Sequence, residues 1–123
     1  MANKTILIVD DSASIRATVS IALKGAGYEV IEASDGNVAL AKIDGKRVNL
    51  IITDINMPGM DGITLLKRLK EQAATKYVPV IMLTTEGSDD KKALGRDAGA
   101  KAWIVKPFQP AQLLDVVSRL VPS

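Results

Sequence analysis

The sequence has no cysteine and no histidine, and only 3% of its 123 residues are aromatic. Without cysteine there are no disulfides and no thiolate metal sites, and a reducing compartment is expected. Without histidine the commonest general base and the commonest zinc ligand are missing. Aromatic rings are too few for a platform on which nucleic-acid bases stack. Any chemistry must therefore use carboxylates, hydroxyls, lysines or backbone groups.

Long hydrophobic runs are also lacking. No window approaches the roughly 20 apolar residues of a membrane span. The apolar stretch within the first residues, "MANKTILIVDDS", is too short for a signal peptide. The formal net charge is only +2, and the basic pairs are scattered. We therefore expect a cytoplasmic protein that binds neither nucleic acid nor membrane. Its length fits a single domain over residues 1–123, with no output domain.

Five short apolar runs predict five strands. Continuous runs rich in isoleucine and valine are typical of strands buried on both faces of a parallel sheet. The runs are "TILIV" (5–9), "YEVIEA" (28–33), "NLIIT" (49–53), "PVIML" (79–83) and "AWIV" (102–105).

Helical patterns separate and follow these strands, because apolar residues recur there at spacings of three or four. Ser12 is the predicted N-cap of the first helix, and Asp61 is a better N-cap than ligand for the third. A fourth, weaker helix is predicted at 88–98. Regular alternation of strand and helix predicts an α/β fold in which helices cover both faces of a parallel sheet.

The strands end on polar residues, and this pattern points to a site. In open α/β sheets the ligand crevice lies beyond the carboxyl ends of the strands. The second strand has no such residue and is expected to lie outermost. The known flavodoxin-like, doubly wound order 2-1-3-4-5 satisfies this and places strands 1 and 3 side by side. The polar strand ends are Asp10-Asp11, Asp54, Thr84-Thr85 and Lys106.

Three aspartates at one edge repel one another, and desolvation adds to the cost. A hard divalent cation, Mg²⁺ or Mn²⁺, would offset this by binding oxygens of Asp11 and Asp54, with Asp10 as a further candidate. A carboxylate beside such a cation and Lys106 is suited to accept a phosphoryl group. We therefore interpret Asp54 as a nucleophile that the sheet holds beside its metal.

The segments that carry these residues resemble the receiver domain of two-component response regulators. They are "LIVDDS", "IITDINMPGMDG", "IMLTTE" and "IVKPF", in the family's order and over essentially the whole chain. Each is weak alone, but together they are highly specific. The length, "DINMPGMDG" and "VKPF" are most similar to single-domain chemotaxis (CheY-like) regulators.

The resemblance implies roles for the acidic residues. Asp54 would accept phosphoryl from a phosphohistidine of a sensor histidine kinase, or from a small donor such as acetyl phosphate. Asp10 and Asp11 would bind Mg²⁺, Asp10 partly through water, and Asn56 would add its backbone carbonyl. The protein would then be no enzyme beyond catalysing its own phosphorylation and dephosphorylation.

Other positions match the family's signalling residues. Thr84 would donate its hydroxyl to the phosphoryl group, and Lys106 would pair with another phosphoryl oxygen. Trp103 occupies the position of the aromatic rotamer switch, usually tyrosine or phenylalanine, so both a switch and half-buried packing stay open. Asn56 and Glu86 match positions that tune dephosphorylation, and their types imply a short-lived phosphoform.

The signal is expected to leave through a surface, since no output domain is predicted. Movement of Thr84 would shift the predicted helix at 88–98, which has low helix propensity. We predict that the face made by this fourth helix, the fifth strand with Trp103 and the fifth helix binds a phosphorylation-dependent partner. The flagellar motor switch and a phosphatase are candidates, and the protein is expected to be a monomer.

Alternatives remain open at this point. A phosphatase of the haloacid-dehalogenase type also uses an aspartyl nucleophile, but it requires a second acid where this chain has Asn56. A flavodoxin-like nucleotide binder needs a phosphate loop where Asp10 and Asp11 stand. Within the receiver class, a phosphorelay intermediate or a phosphate sink competes with a chemotaxis regulator.

Overall fold

The computed structural model describes residues 4–57, 59–84 and 99–121. Its strands are β1 (Thr5–Val9), β2 (Glu29–Ala33), β3 (Leu50–Asp54), β4 (Val80–Thr84) and β5 (Ala102–Val105). Its helices within those residues are α1 (Ala13–Gly25), α2 (Gly36–Ile43), α3 (Gly62–Glu71) and α4 (Pro110–Leu120).

All neighbouring strands are parallel and form one sheet in the order β2-β1-β3-β4-β5. The predicted fold class and strand order are confirmed. The helix predicted at 88–98 lies outside the described residues, so α4 corresponds to the helix predicted as the fifth.

Two core layers cover the two faces of the sheet. Because successive side chains of a strand point to opposite faces, Leu7 and Val9 of β1 pack in the layer with α2 and α3. Ile6 and Ile8 pack in the layer with α1 and α4. Every residue of β3 and β4 is buried, as predicted for strands covered on both sides.

Three strands differ by about one residue from the runs that predicted them. β3 and β4 include Asp54 and Thr84, because strand pairing needs only backbone groups, and Asp54 pairs with Leu83. β2 begins at Glu29, since the amide of Tyr28 donates instead to a carbonyl near the end of α1 at 3.1 Å. Two site residues are therefore fixed in the sheet itself.

Polar residues begin the helices next to this edge. The Ser12 hydroxyl accepts a hydrogen bond from the Ile15 amide (3.3 Å), and an Asp61 carboxylate oxygen accepts one from the Thr64 amide (2.7 Å). Both side chains are N-caps, as predicted, and they set α1 and α3 directly beyond β1 and β3. Within the described residues, no helix combines the length and apolar character needed to cross a bilayer.

The outer edge of β2 has one capped carbonyl. The Glu29 amide donates to Lys4 and the Ala33 carbonyl accepts from Asp10, so the backbone groups of these residues face β1. By alternation, those of Glu32 face the free edge. There, Nζ of Lys42 from α2 donates to the Glu32 carbonyl at 2.6 Å.

Candidate functional site

The carboxyl ends of four strands bring polar side chains to one edge of the sheet. Asp54 and Thr84 are the last residues of β3 and β4, Asp10 directly follows β1, and Lys106 directly follows β5. In a parallel sheet these ends all lie on the same side, where the ligand crevice of such folds is found. β2, the outermost strand beside β1, ends on Ala33 and adds no such group.

An acidic cluster lies at the centre of this edge. One carboxylate oxygen from each of Asp10, Asp11 and Asp54 lies within 4.8 Å of the other two. Asp10 is fully buried and Asp54 is 5% exposed, whereas Asp11 faces solvent. Carboxylate oxygens suit hard divalent cations. The donor set therefore fits Mg²⁺ or Mn²⁺, reached from the solvent side at Asp11.

Lys106 supplies a positive charge to the buried acids. Its Nζ lies 2.9 Å from Oδ2 of Asp10 and 3.4 Å from Oδ2 of Asp54, and its side chain is 10% exposed. Its amide donates to the Thr84 carbonyl at 2.6 Å, so β4 positions its backbone. The Lys106–Pro107 peptide bond is cis. The ammonium group of Lys106, which follows β5, thus joins the ends of β1 and β3.

The pKa of Asp54 is raised above its ordinary value of 3.8. Burial is the largest cause, because it disfavours the charged form, and the charges of Asp10 and Asp11 add to it. Lys106 acts in the opposite direction through its charge and its hydrogen bond. The carboxylate is therefore a stronger base than an exposed aspartate.

Gly62 permits the close approach of α3 to the end of β3. A Cβ atom at this position would overlap the Asp54 carbonyl oxygen and lie 2.9 Å from Cα of Ile55. The Gly62 amide donates to the Ile55 carbonyl at 2.9 Å. A glycine is therefore required sterically at the first residue of α3, directly behind the candidate acceptor.

The sequence model of one protein family, the response regulator receiver domain, matches residues 6–118 of this chain. The chain belongs to that family. A solved structure of the chemotaxis protein CheY4 of Vibrio cholerae is 48% identical, covers 98% of this chain and 100% of its own, and superposes with a TM-score of 0.94.

Two other proteins extend the comparison. The phosphate regulon transcriptional regulatory protein PhoB of Pseudomonas aeruginosa is 46% identical over 114 residues, which are 93% of this chain but 50% of that relative. The chain thus spans half of PhoB. A sensor histidine kinase receiver domain from Pseudomonas aeruginosa (27% identity, TM-score 0.89, 99% of this chain and 100% of that one) has a magnesium ion coordinated in its active site cleft.

The structure places the residues that were predicted to take part in signalling as follows. Thr84 is fully buried at the end of β4, and Asn56 is exposed in the loop after β3. Trp103 of β5 is half-buried against the core layer of α2 and α3. Its Nε1 is buried and has no hydrogen-bond partner in the described part of the chain. Glu86 lies outside the described residues, and the roles of all four stay predictions.

Two residues of the receiver site were not identified from the sequence. Gly62 could have been recognised from the Asp-Gly pair that ends "PGMDG", since glycine there suggests a close backbone approach. Arg16 follows the acidic pair by about one helical turn, and its guanidinium contacts the Asp10 carbonyl. Its spacing from the predicted N-cap was the available signal.

An open cavity of about 420 Å³ adjoins the site on the α1 side. Lys106 lines both the cavity and the acidic cluster. The other lining residues are Ser14, Ile15, Thr18, Pro107 and Phe108. A larger cleft, of about 660 Å³, lies at the amino ends of β1 and β2 and has no residue in common with the site.

Proposed function

We propose that this receiver domain accepts a phosphoryl group on Asp54 from a sensor histidine kinase and signals in chemotaxis. The observation that supports this most is the position of the Asp54 carboxylate. It ends a buried strand, lies with two other acids in a cluster that fits a divalent cation, and is 3.4 Å from the Lys106 ammonium.

Asp54 acts as the nucleophile in this proposal. One carboxylate oxygen attacks phosphorus, and the new O–P bond forms as the N–P bond of the donor phosphohistidine breaks. The histidine nitrogen leaves with the bonding electron pair. Burial, and to a smaller extent the neighbouring acids, raises the pKa of Asp54 and makes its carboxylate more basic, whereas Lys106 favours the ionised form that can attack.

The other residues stabilise charge around the acceptor. Asp10, Asp11, Asp54 and the Asn56 carbonyl would hold Mg²⁺, which when bound offsets negative charge on the carboxylates and the phosphoryl oxygens. Lys106 pairs with one phosphoryl oxygen from its position beside Asp54. In this proposal the domain catalyses the transfer to its own Asp54 from the phosphohistidine donor, and it is not an enzyme that acts on other substrates.

Trp103 supports an output face that changes on phosphorylation. A buried, unpartnered N–H group costs about 1–3 kcal/mol, and in the described residues Nε1 of Trp103 is such a group. A conformation in which Nε1 finds a partner would recover that cost. We propose that the face containing β5, α4 and the segment 88–98 binds the phosphorylation-dependent target.

The chemotaxis assignment follows from likeness to the chemotaxis protein CheY4 of Vibrio cholerae. The target would be the flagellar motor switch or a phosphatase, reached in the cytoplasm by a monomeric domain. The absence of cysteine is consistent with that compartment.

The deciding experiment measures Trp103 fluorescence on adding beryllofluoride and Mg²⁺, because beryllofluoride on Asp54 mimics the acyl phosphate. Trp103 is the single tryptophan of the chain. We expect a Mg²⁺-dependent change that is absent in Asp54→Asn. A mass increase of one phosphoryl group with acetyl phosphate, absent in the same variant, would support the acceptor directly.

Each negative result has a distinct meaning. If beryllofluoride binds but the fluorescence stays constant, Trp103 is not part of the switch. If neither beryllofluoride nor a phosphoryl group is taken up, the proposed function is wrong.

A phosphorelay intermediate or a phosphate sink is the second candidate. A relay protein must keep its phosphoryl group until a histidine phosphotransferase takes it, whereas Asn56 and Glu86 imply rapid loss by resemblance. Autodephosphorylation of the acetyl phosphate product separates the two. A phosphoform that persists for hours would contradict the chemotaxis assignment.

A further inference from the structure

Arg16 joins three elements next to the acidic cluster. It lies one turn into α1, where its amide donates to the Ser12 carbonyl at 3.1 Å. Its Nη1 donates to the backbone carbonyl of Asp10, beyond β1. Its Nε lies 3.5 Å from a carboxylate oxygen of Glu32 on β2, and its side chain is 19% exposed.

The other hydrogen-bonding groups of Asp10 are also occupied. Its amide donates to the Ala33 carbonyl at 3.1 Å. Its Oδ1 accepts from the Ser12 amide and its Oδ2 from Nζ of Lys106, both at 2.9 Å. The backbone carbonyl is the remaining hydrogen-bonding group of Asp10, and it accepts the hydrogen bond from Arg16.

This carbonyl belongs to the peptide unit between Asp10 and Asp11. Because that unit is planar, a bond that fixes the Asp10 carbonyl also fixes the direction in which the chain leaves toward Asp11. Within residues 4–57, 59–84 and 99–121, the Asp11 carboxylate has no hydrogen bond or ion pair of its own. The position of this exposed acid is therefore set through its backbone.

The charges around Arg16 allow a positioning role of this residue to be distinguished from a purely electrostatic effect on the cation. A guanidinium near a cation site repels the cation, so a purely electrostatic Arg16 would weaken metal binding. The Glu32 carboxylate, 3.5 Å from Nε of Arg16, offsets this charge. The backbone carbonyl of Glu32 accepts a hydrogen bond from Lys42, which holds Glu32 in place. Arginine is suited to such a two-point contact because its donors form a rigid fork.

We propose that Arg16 is a positioning residue that aims the Asp10–Asp11 peptide so that these carboxylates and Asp54 converge on one divalent cation. The inference deepens the proposed function, on which it rests for the identity of the cation. It concerns the support of the metal ligands and adds no new ligand.

The test is isothermal titration of the full chain with Mg²⁺ and with Ca²⁺, for the wild type and Arg16→Met. Loss of a group that orients a metal ligand typically weakens binding by about 10–100-fold, and we expect this range for Mg²⁺. Mg²⁺ requires near-ideal octahedral geometry, whereas Ca²⁺ tolerates irregular sites. The loss for Ca²⁺ should therefore be smaller.

Arg119→Met is the matched control, since it removes a guanidinium that is 75% exposed on α4 and paired with Asp115. It should leave both affinities unchanged. If Arg16→Met binds Mg²⁺ as tightly as the wild type or more tightly, the inference is wrong. Equal losses for Mg²⁺ and Ca²⁺ would also overturn it, because a general loss of charge or structure affects both ions alike.

Arg16→Lys keeps the test valid if Arg16→Met does not fold. Lysine retains the charge but cannot hold the Asp10 carbonyl and the Glu32 carboxylate at once, so Mg²⁺ should again be weakened more than Ca²⁺. A wild-type chain that binds no Mg²⁺ overturns the inference. A wild-type chain that binds Mg²⁺ but accepts no phosphoryl group overturns the proposed function alone.

Discussion

Substitution of Gly62 by alanine tests whether the candidate acceptor depends on close packing behind it. The added Cβ would overlap the Asp54 carbonyl oxygen and lie 2.9 Å from Cα of Ile55 and 3.0 Å from the Asp54 carbonyl carbon. Ordinary contacts begin at 3.4 Å. All three neighbours are backbone atoms, so the end of β3 or the start of α3 must shift.

The expected loss of stability follows from two opposing effects. Overpacking a close-packed site costs about 1–3 kcal/mol, and backbone neighbours place Gly62→Ala toward the upper value. Replacing glycine by alanine also restricts the unfolded chain, which returns about 0.4–1 kcal/mol. We expect a net loss of about 2 kcal/mol in the free energy of unfolding, measured by urea denaturation.

Gly25→Ala is the control, because a Cβ at this last residue of α1 meets nothing within 4 Å. It should be neutral or stabilise by up to about 1 kcal/mol. Gly62→Ala should also weaken Mg²⁺ binding, since Asp54 moves with its carbonyl, whereas Gly25→Ala should not. A Gly62→Ala protein with wild-type stability and Mg²⁺ affinity would refute this account of the packing.

Three further predictions concern charge and hydrogen bonding. Since the folded-state pKa of Asp54 is raised above 3.8, ionisation of this residue lowers the stability of the fold as pH rises. In urea denaturation without metal, Asp54→Asn should have the same free energy of unfolding as the wild type below pH 3.8, and an increasingly higher one as pH rises from 3.8 through the raised pKa. A difference that stays constant with pH would contradict this. Lys106→Met should raise the pKa of Asp54 further, because Lys106 lowers it; a carbon-13 NMR titration of the carboxyl that shows no rise would count against the pairing. Tyr28→Phe removes a buried hydrogen bond from the phenol to the Val121 carbonyl (2.6 Å) and should destabilise the fold by about 1–2 kcal/mol. Neither residue belongs to the acidic cluster, so Mg²⁺ affinity should stay unchanged, and a weaker affinity would contradict this.

The sheet could be predicted largely from the sequence because its strands are buried on both faces. Such strands appear as uninterrupted apolar runs, and the runs at 5–9 and 102–105 match β1 and β5. The ends of β3 and β4 were harder to locate. Asp54 and Thr84 look like loop residues in a hydrophobic pattern, yet their backbones continue the pairing.

The acidic cluster was also predictable, because topology alone brings the carboxyl ends of parallel strands together. The supporting contacts were not. The contact between Arg16 and the Asp10 carbonyl depends on how α1 is rotated and seated on the sheet. The contact of Gly62 depends on the separation between α3 and β3. Neither quantity is encoded in residue spacing, so these contacts become visible only when elements distant in the chain are packed together.

The capped carbonyl on β2 has a consequence for the behaviour of the protein at high concentration. An open strand edge is a template on which another molecule can add a strand, and repeated addition leads to aggregates. At Glu32 the acceptor that such a strand would use is already bonded to Lys42. An incoming chain would have to displace a charged donor and bury or expel its ammonium group. A single surface lysine thus opposes the addition of a further strand at the β2 edge of the sheet.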